Sequence, residues 1–121
     1  MRYHDAIHQY YRAYRDRDRA ALERLLAADF HFRSPFGEYR DREVMLEQIW
    51  PYVGQTWATN IRIFGEGPEF VVLYEHENAP GMTRRSAVMA EYVRFEGDRI
   101  AEIEVFVGRT GRPDEAPVTL R

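Results

Sequence analysis

The sequence predicts an α+β domain in which three helices come first and a long, curved, mostly antiparallel sheet follows. Three observations carry this. Apolar residues recur at helical spacing up to about residue 50. From residue 56 onward the period switches to two, over segments separated by turn residues. Finally, 121 residues that are 45% apolar can build one core and leave little room for a second domain.

Tyr3, Ile7, Tyr10 and Tyr14, with Ala6 and Ala13 beside them, share one face of a helix over 3–16. Asp18 is placed to cap a second helix whose apolar face is Ala21, Leu22, Leu25 and Leu26. Phe30, Phe32 and Ser34 alternate with His31 and Arg33, the pattern of a short strand, and Ser34-Pro35-Phe36-Gly37 ends it in a turn. Asp41 caps a third helix with Val44, Met45, Gln48 and Ile49 inward, and Pro51 stops it.

Residues 56–64, 69–77, 84–95 and 99–107 read as strands. The turns between them are Gly65-Glu66-Gly67-Pro68, Ala79-Pro80-Gly81 and Glu96-Gly97-Asp98. Several of these strands are apolar on both faces, so the helices must cover one face and something else the other. That leaves Val71, Leu73, Val88, Ala90, Tyr92 and Phe106 on a convex face, where a second copy is expected to cover them in a homodimer. The folded domain is expected over 1–108, with 109–121 as a C-terminal tail.

Composition excludes several classes. Without cysteine there is no disulfide, thiolate metal site or cysteine nucleophile. The net charge is −3, the 17 basic residues are all arginine, and they alternate with acids rather than forming a stripe, so no nucleic acid partner is expected. The longest apolar run, Phe70 to Tyr74, is far too short to span a bilayer, and the N-terminus lacks a signal core. A cytoplasmic domain without membrane contact is the expectation. There is no phosphate-binding glycine loop, GxSxG elbow, HExxH or EF-hand pattern, and Gly65-Glu66-Gly67 reads as a hairpin turn. His4 and His8 stand at i, i+4 but have no third ligand, so neither metal nor cofactor is expected.

Three residues stand out as chemistry. Tyr10 sits with Tyr14 on the helical face that meets the sheet, as aromatic core or as a hydroxyl donor. Two registers are open for Glu91: inside with Met89 and Val93, where its pKa would rise, or at the rim against Arg94 or Arg62. His76 shares a face with Phe70, Val72 and Tyr74, either lining a pocket or satisfied at the strand end. Tyr10, His76 and Glu91 together would make a donor and base set for dehydration or enolisation. Trp50 and Trp57 are large apolar fillers near the third helix.

The order of elements, with Ala28-Asp29-Phe30-His31-Phe32-Arg33-Ser34-Pro35, Asp41-Arg42-Glu43-Val44-Met45 and Val93-Arg94-Phe95-Glu96-Gly97-Asp98-Arg99-Ile100, resembles the nuclear-transport-factor-2-like superfamily, in particular its SnoaL-like branch. The resemblance covers roughly 3–108. It implies a cone-shaped, cystatin-like fold around an apolar pocket, and a small apolar ligand of polyketide or steroid type. The pocket it implies is lined by Ile7, Tyr10, Tyr14, Phe32, Ser34, Trp57, Phe70, Val72, Met89, Glu91, Ile103 and Val105. Against the ketosteroid isomerases, the oxyanion tyrosine falls on Tyr10 and the second donor on Glu91. The general-base position falls on Ser34, which argues against steroid-type isomerisation. Relatives include isomerases, dehydratases and cyclases as well as binding and dimerisation modules, so the function classes are an acid–base enzyme on a small carbonyl or hydroxyl compound, a ligand-binding module, or a dimerisation domain.

Overall fold

In the computed structural model, which describes residues 2–79 and 87–110 (109 and 110 by backbone alone), the first apolar stripe becomes α1, Tyr3–Asp16. Its buried residues are Ala6, Ile7, Tyr10, Tyr11 and Ala13. The helix ends at Arg17, which takes the left-handed conformation (φ 54°) that usually calls for glycine. The side chain accounts for the arginine. Its guanidinium donates to the carbonyls of Trp50 and Val53 and lies 5.0 Å from the centroid of the Trp50 ring.

Both expected aspartate caps form. Asp18 accepts from the Ala21 N–H at 3.1 Å to start α2 (Arg19–Leu25), and Asp41 accepts from Val44 N–H at 3.0 Å to start α3 (Arg42–Ile49). After α3 the chain makes a single 3-10 turn over Trp50–Tyr52, with Pro51 inside it. The buried face of α3 departs from expectation. Met45 and Leu46 are fully buried, whereas Val44 is 54% exposed and Gln48 faces solvent. In two helical turns a small rotation about the axis leaves the apolar pattern equally plausible, so packing against β1 and α2 decides the face.

Six strands form one sheet in the order β2-β1-β6-β5-β4-β3. They are β1 (Leu26–Ser34), β2 (Gly37–Tyr39), β3 (Thr56–Phe64), β4 (Glu69–Asn78), β5 (Ala87–Glu96) and β6 (Arg99–Thr110). Neighbours run antiparallel except β1 and β6, which are parallel. β1 starts at Leu26 rather than Phe30. Leu26 pairs with Ile100, and its carbonyl accepts from the guanidinium groups of Arg42 and Arg99, which draws the chain out of α2 straight into the sheet. Ala27-Ala28-Asp29 lie where the β1–β6 register shifts and carry no strand pattern of their own. β2 was not expected, and β6 runs two residues past the expected boundary at 108. Pro80-Gly81 of the expected turn, strand residues 84–86 and the tail from 111 lie outside the described residues.

The core fills the space between the helices and the inner sheet face, with Phe30, Phe70, Ile7, Leu22, Met45 and Ile103 fully buried. One end of this space is closed. The Tyr3 ring packs 4.7 Å from Phe95 and 5.5 Å from Phe70, and Gly67 (φ +102°) makes room for it, since a Cβ there would stand 2.6 Å from the Tyr3 ring. Tyr14, Phe32, Tyr39, Ile49 and Val105 pack against this core and are only half-buried. The outer face is divided. Arg33 and Arg94 bridge Glu102 at 2.8 and 3.3 Å, whereas Val71, Phe106 and Phe64 are 45%, 52% and 51% exposed.

Candidate active site

Along β5 the buried residues are Met89, Glu91, Val93 and Phe95, so strand alternation turns Glu91 inward. The open choice of register is thereby resolved in favour of the interior. Among the described residues Glu91 is the sole buried polar or charged residue, at 5% exposure. It stands mid-sheet, opposite Val72 of β4 and Val105 of β6.

Both carboxyl oxygens are held by phenols. The Tyr11 hydroxyl, from α1, donates to Oε1 at 2.8 Å, and the Tyr74 hydroxyl, from β4, donates to Oε2. The two rings pack at 5.0 Å. Tyr10 lies edge-on to Tyr11 at 5.1 Å and to Tyr14 at 4.9 Å. Its hydroxyl is bonded to that of Tyr14, whose own O–H points at the Met45 sulfur at 3.9 Å. Four phenols and one carboxyl thus share the interior.

Burial pushes the Glu91 pKa up because the charged form loses its hydration; the Tyr74 and Tyr11 bonds pull it back only in part. Tyr10, Tyr11 and Tyr74 are all raised, by burial first and then by repulsion from nearby ionisable groups, Glu91 among them. The Tyr14 hydroxyl end is enclosed although its ring is half exposed, and burial raises it likewise. These phenols stay protonated near neutral pH and act as donors. The carboxyl can be a proton donor when neutral and a base in a dry setting when ionised.

The structure brings some expected site residues here and leaves others apart. Ile7, Phe70, Val72, Met89 and Ile103 belong to the buried core, and Phe32, Tyr14 and Val105 pack against it half-buried. His76 packs edge-on against Tyr74 at 5.3 Å and so meets the cluster through that ring. Ser34 is occupied in the β1–β2 turn, its Oγ accepting from Phe36 N–H at 3.1 Å and donating to the Gly37 carbonyl at 3.4 Å. Trp57 pairs with Glu77, one residue out of phase with Ala58, which packs on the core; Arg15 of α1 covers its ring at 4.3 Å. Tyr11 was missed. Its place four residues after Ile7 put it on the α1 stripe, but nothing in that spacing named Glu91 as its partner.

No group of three His, Cys, Asp or Glu side chains that could hold a metal occurs among the described residues. No described helix is long and apolar enough to cross a membrane. A shallow depression lined by Arg2, Tyr3, His4, Asp5 and Glu66 lies at the closed end, at the start of α1.

A family described as SnoaL-like domain matches residues 7–103. Among solved structures, a cystatin-like-fold protein of unknown function from Xanthomonas campestris is 19% identical, with TM-score 0.75 over 93% of this chain and all (100%) of that one. A proposed ketosteroid isomerase from Kribbella flavida is 16% identical, with TM-score 0.74 over 93% of this chain and 82% of that one. A proposed polyketide cyclase from Sinorhizobium meliloti is 17% identical, with TM-score 0.71 over 84% of this chain and 94% of that one. At such identities the likeness is one of fold. No curated protein matches the sequence.

Proposed function

The chain belongs to the SnoaL-like domain family, and from that premise we propose that it binds a small carbonyl or hydroxyl compound on the concave side of the sheet and moves a proton on it through Glu91. The observation that carries this is the buried carboxyl with phenol donors on both oxygens, deep in an otherwise apolar interior. A carboxyl whose pKa is raised by burial exchanges protons closer to neutral pH than an exposed one. Tyr11 and Tyr74 position it; Tyr10 and His76 stand behind them as further donors.

The test uses 2-tetralone in deuterated buffer, followed by NMR. Exchange of its α-protons at least tenfold above buffer, lost in Glu91→Gln, supports the reading; an unchanged rate in that variant removes Glu91 from the mechanism. A second reading, binding without turnover, is favoured by one observation: both Glu91 oxygens are already engaged by the fold's own hydroxyls. Saturable binding without exchange supports it.

The outer face supports a homodimer. Val71, Leu73, Val88, Ala90, Tyr92 and Phe106 lie on it by strand alternation, and cross-strand pairs such as Leu73–Ala90 and Ala90–Phe106 join them into one patch. A second copy covers such a patch symmetrically. Light scattering reads the outcome: a mass near twice the 14.4 kDa chain, about 29 kDa, supports the dimer, and 14.4 kDa refutes it.

A further inference from the structure

Strand β3 carries one residue more than its partner beside the Glu91 cluster. Thr59 pairs with Glu75 and Arg62 with Leu73, so β3 advances three residues where β4 advances two, and Asn60 and Ile61 together stand opposite Tyr74. This is a β-bulge. Within it Asn60 is left-handed (φ 51°), one of two such non-glycine residues among the described residues. Its side-chain amide donates to the Glu75 carboxylate, next along β4 from Tyr74, and the Thr59 hydroxyl donates to the Glu75 carbonyl at 3.4 Å.

The extra residue changes which side chains face in. Before it Ala58 packs on the core; after it Ile61 and Ile63 do, while Arg62 and Phe64 are exposed. An uninterrupted strand that kept Ala58 inward would turn Arg62 into the core and Ile61 and Ile63 out of it. A bulge also strengthens the local twist. Tyr74 is sensitive to twist because its partner on β5 is Met89, whereas its hydroxyl bonds Glu91, two residues further along. That bond is diagonal, and the twist between strands sets how closely diagonal neighbours on one face approach. The bulge lies on the other flank of the same tyrosine.

We propose that Asn60 is a positioning residue for the Glu91 site, its left-handed backbone holding the bulge that aims the Tyr74 hydroxyl at Oε2. Asparagine enters this conformation more readily than most residues, and β-branched side chains resist it. The proposal rests on Glu91 as the working group. Its test needs neither ligand nor turnover, so it can fail while that reading stands.

The Glu91 carboxyl carbon is followed by NMR against pH in the free protein. The Tyr74 bond lowers the Glu91 pKa, so weakening it moves the midpoint up. Three changes separate the parts. Asn60→Gly keeps the left-handed backbone without the amide, and Asn60→Val opposes it. Deletion of Asn60 removes the bulge yet leaves Ile61 opposite Tyr74 and Arg62 opposite Leu73, with every face in phase. We expect the deletion and Asn60→Val to raise the midpoint towards that of Tyr74→Phe, and Asn60→Gly to keep the wild-type value. Combined with Tyr74→Phe, the deletion should add nothing, because the bond through which it acts is already gone. A merely structural role would lower stability to urea without moving the midpoint. An unmoved midpoint in the deletion variant, an equal rise in Asn60→Gly, or a further rise in the double variant overturns the assignment. Should Asn60→Val fail to fold, the deletion and glycine variants make the comparison alone.

Discussion

The Tyr11 hydroxyl donates to Oε1 of Glu91 at 2.8 Å, joining the first helix to the fifth strand across 80 residues of sequence. With the Tyr74 bond to Oε2 it engages both oxygens of the buried carboxyl. Removing either donor should therefore be felt twice. Tyr11→Phe and Tyr74→Phe should each cost about 1–3 kcal/mol, because a buried acceptor is left unpaired. Each should also raise the Glu91 pKa further, since both bonds now lower it. Urea unfolding and a carboxyl-carbon NMR titration read the two effects. A variant that loses no stability and leaves the titration unmoved would show that the bond does not form.

Glu91 also sets a pH dependence whose sign follows from its raised pKa. The folded state holds this proton more tightly than the unfolded chain, whose value is near 4.5. The stability contribution is fully present below that value and is lost as pH rises through the folded pKa. Glu91→Gln cannot ionise and lacks this loss. The difference between Glu91→Gln and wild type, measured by urea midpoint from pH 4 to 8, should shift steadily in favour of the glutamine. A constant difference would mean that Glu91 titrates as an ordinary carboxyl.

Arg17 offers a test of backbone strain against side-chain bonding. Arg17→Gly relieves a left-handed residue, a gain of about 1 kcal/mol. It also deletes the bonds to the Trp50 and Val53 carbonyls and the packing on Gly54, where a Cβ would stand 3.2 Å from Arg17 Cγ. Each of these bonds is worth about 1 kcal/mol, less than a fully buried charge-assisted bond, because solvent competes at this exposed to part-buried site. Net destabilisation of about 1 kcal/mol is expected in chemical unfolding, and a more stable glycine variant would show that strain outweighs the clasp.

On the outer face, Phe106→Arg places a charge in the centre of the apolar patch at a residue that is 52% exposed in the single chain. The monomer should fold with little change, while the assembly mass falls from about 29 kDa to that of the 14.4 kDa chain. An undiminished mass would move the interface elsewhere.

Much of this was written locally. The period of the first sixteen residues specified α1 and its Tyr10 and Tyr14 face, the aspartates at 18 and 41 specified two helix starts, and strict alternation in β4 and β5 set which residues could share the inner face with Glu91. These features depend on neighbours within one or two turns of chain, where spacing alone carries the information. Trp57 shows the limit from the other side: its alternation with Ala58 was legible, but that Arg15 of α1 covers its ring was not.

What only the tertiary structure decided was which elements meet. The start of β1 at Leu26 depends on Ile100, Arg42 and Arg99; the face of α3 depends on β1 and α2; and Tyr11 and Tyr74 become donors only because Glu91 lies between them. Each of these contacts joins distant parts of the chain, and no local period encodes a partner that far away. The sequence by itself determined which residues of each strand share a face, and left open whether the face of Glu91 turns in. Closure of the sheet over α1 determined that a lone carboxyl would be desolvated there, with phenols as its neighbours, and so acquire its raised pKa.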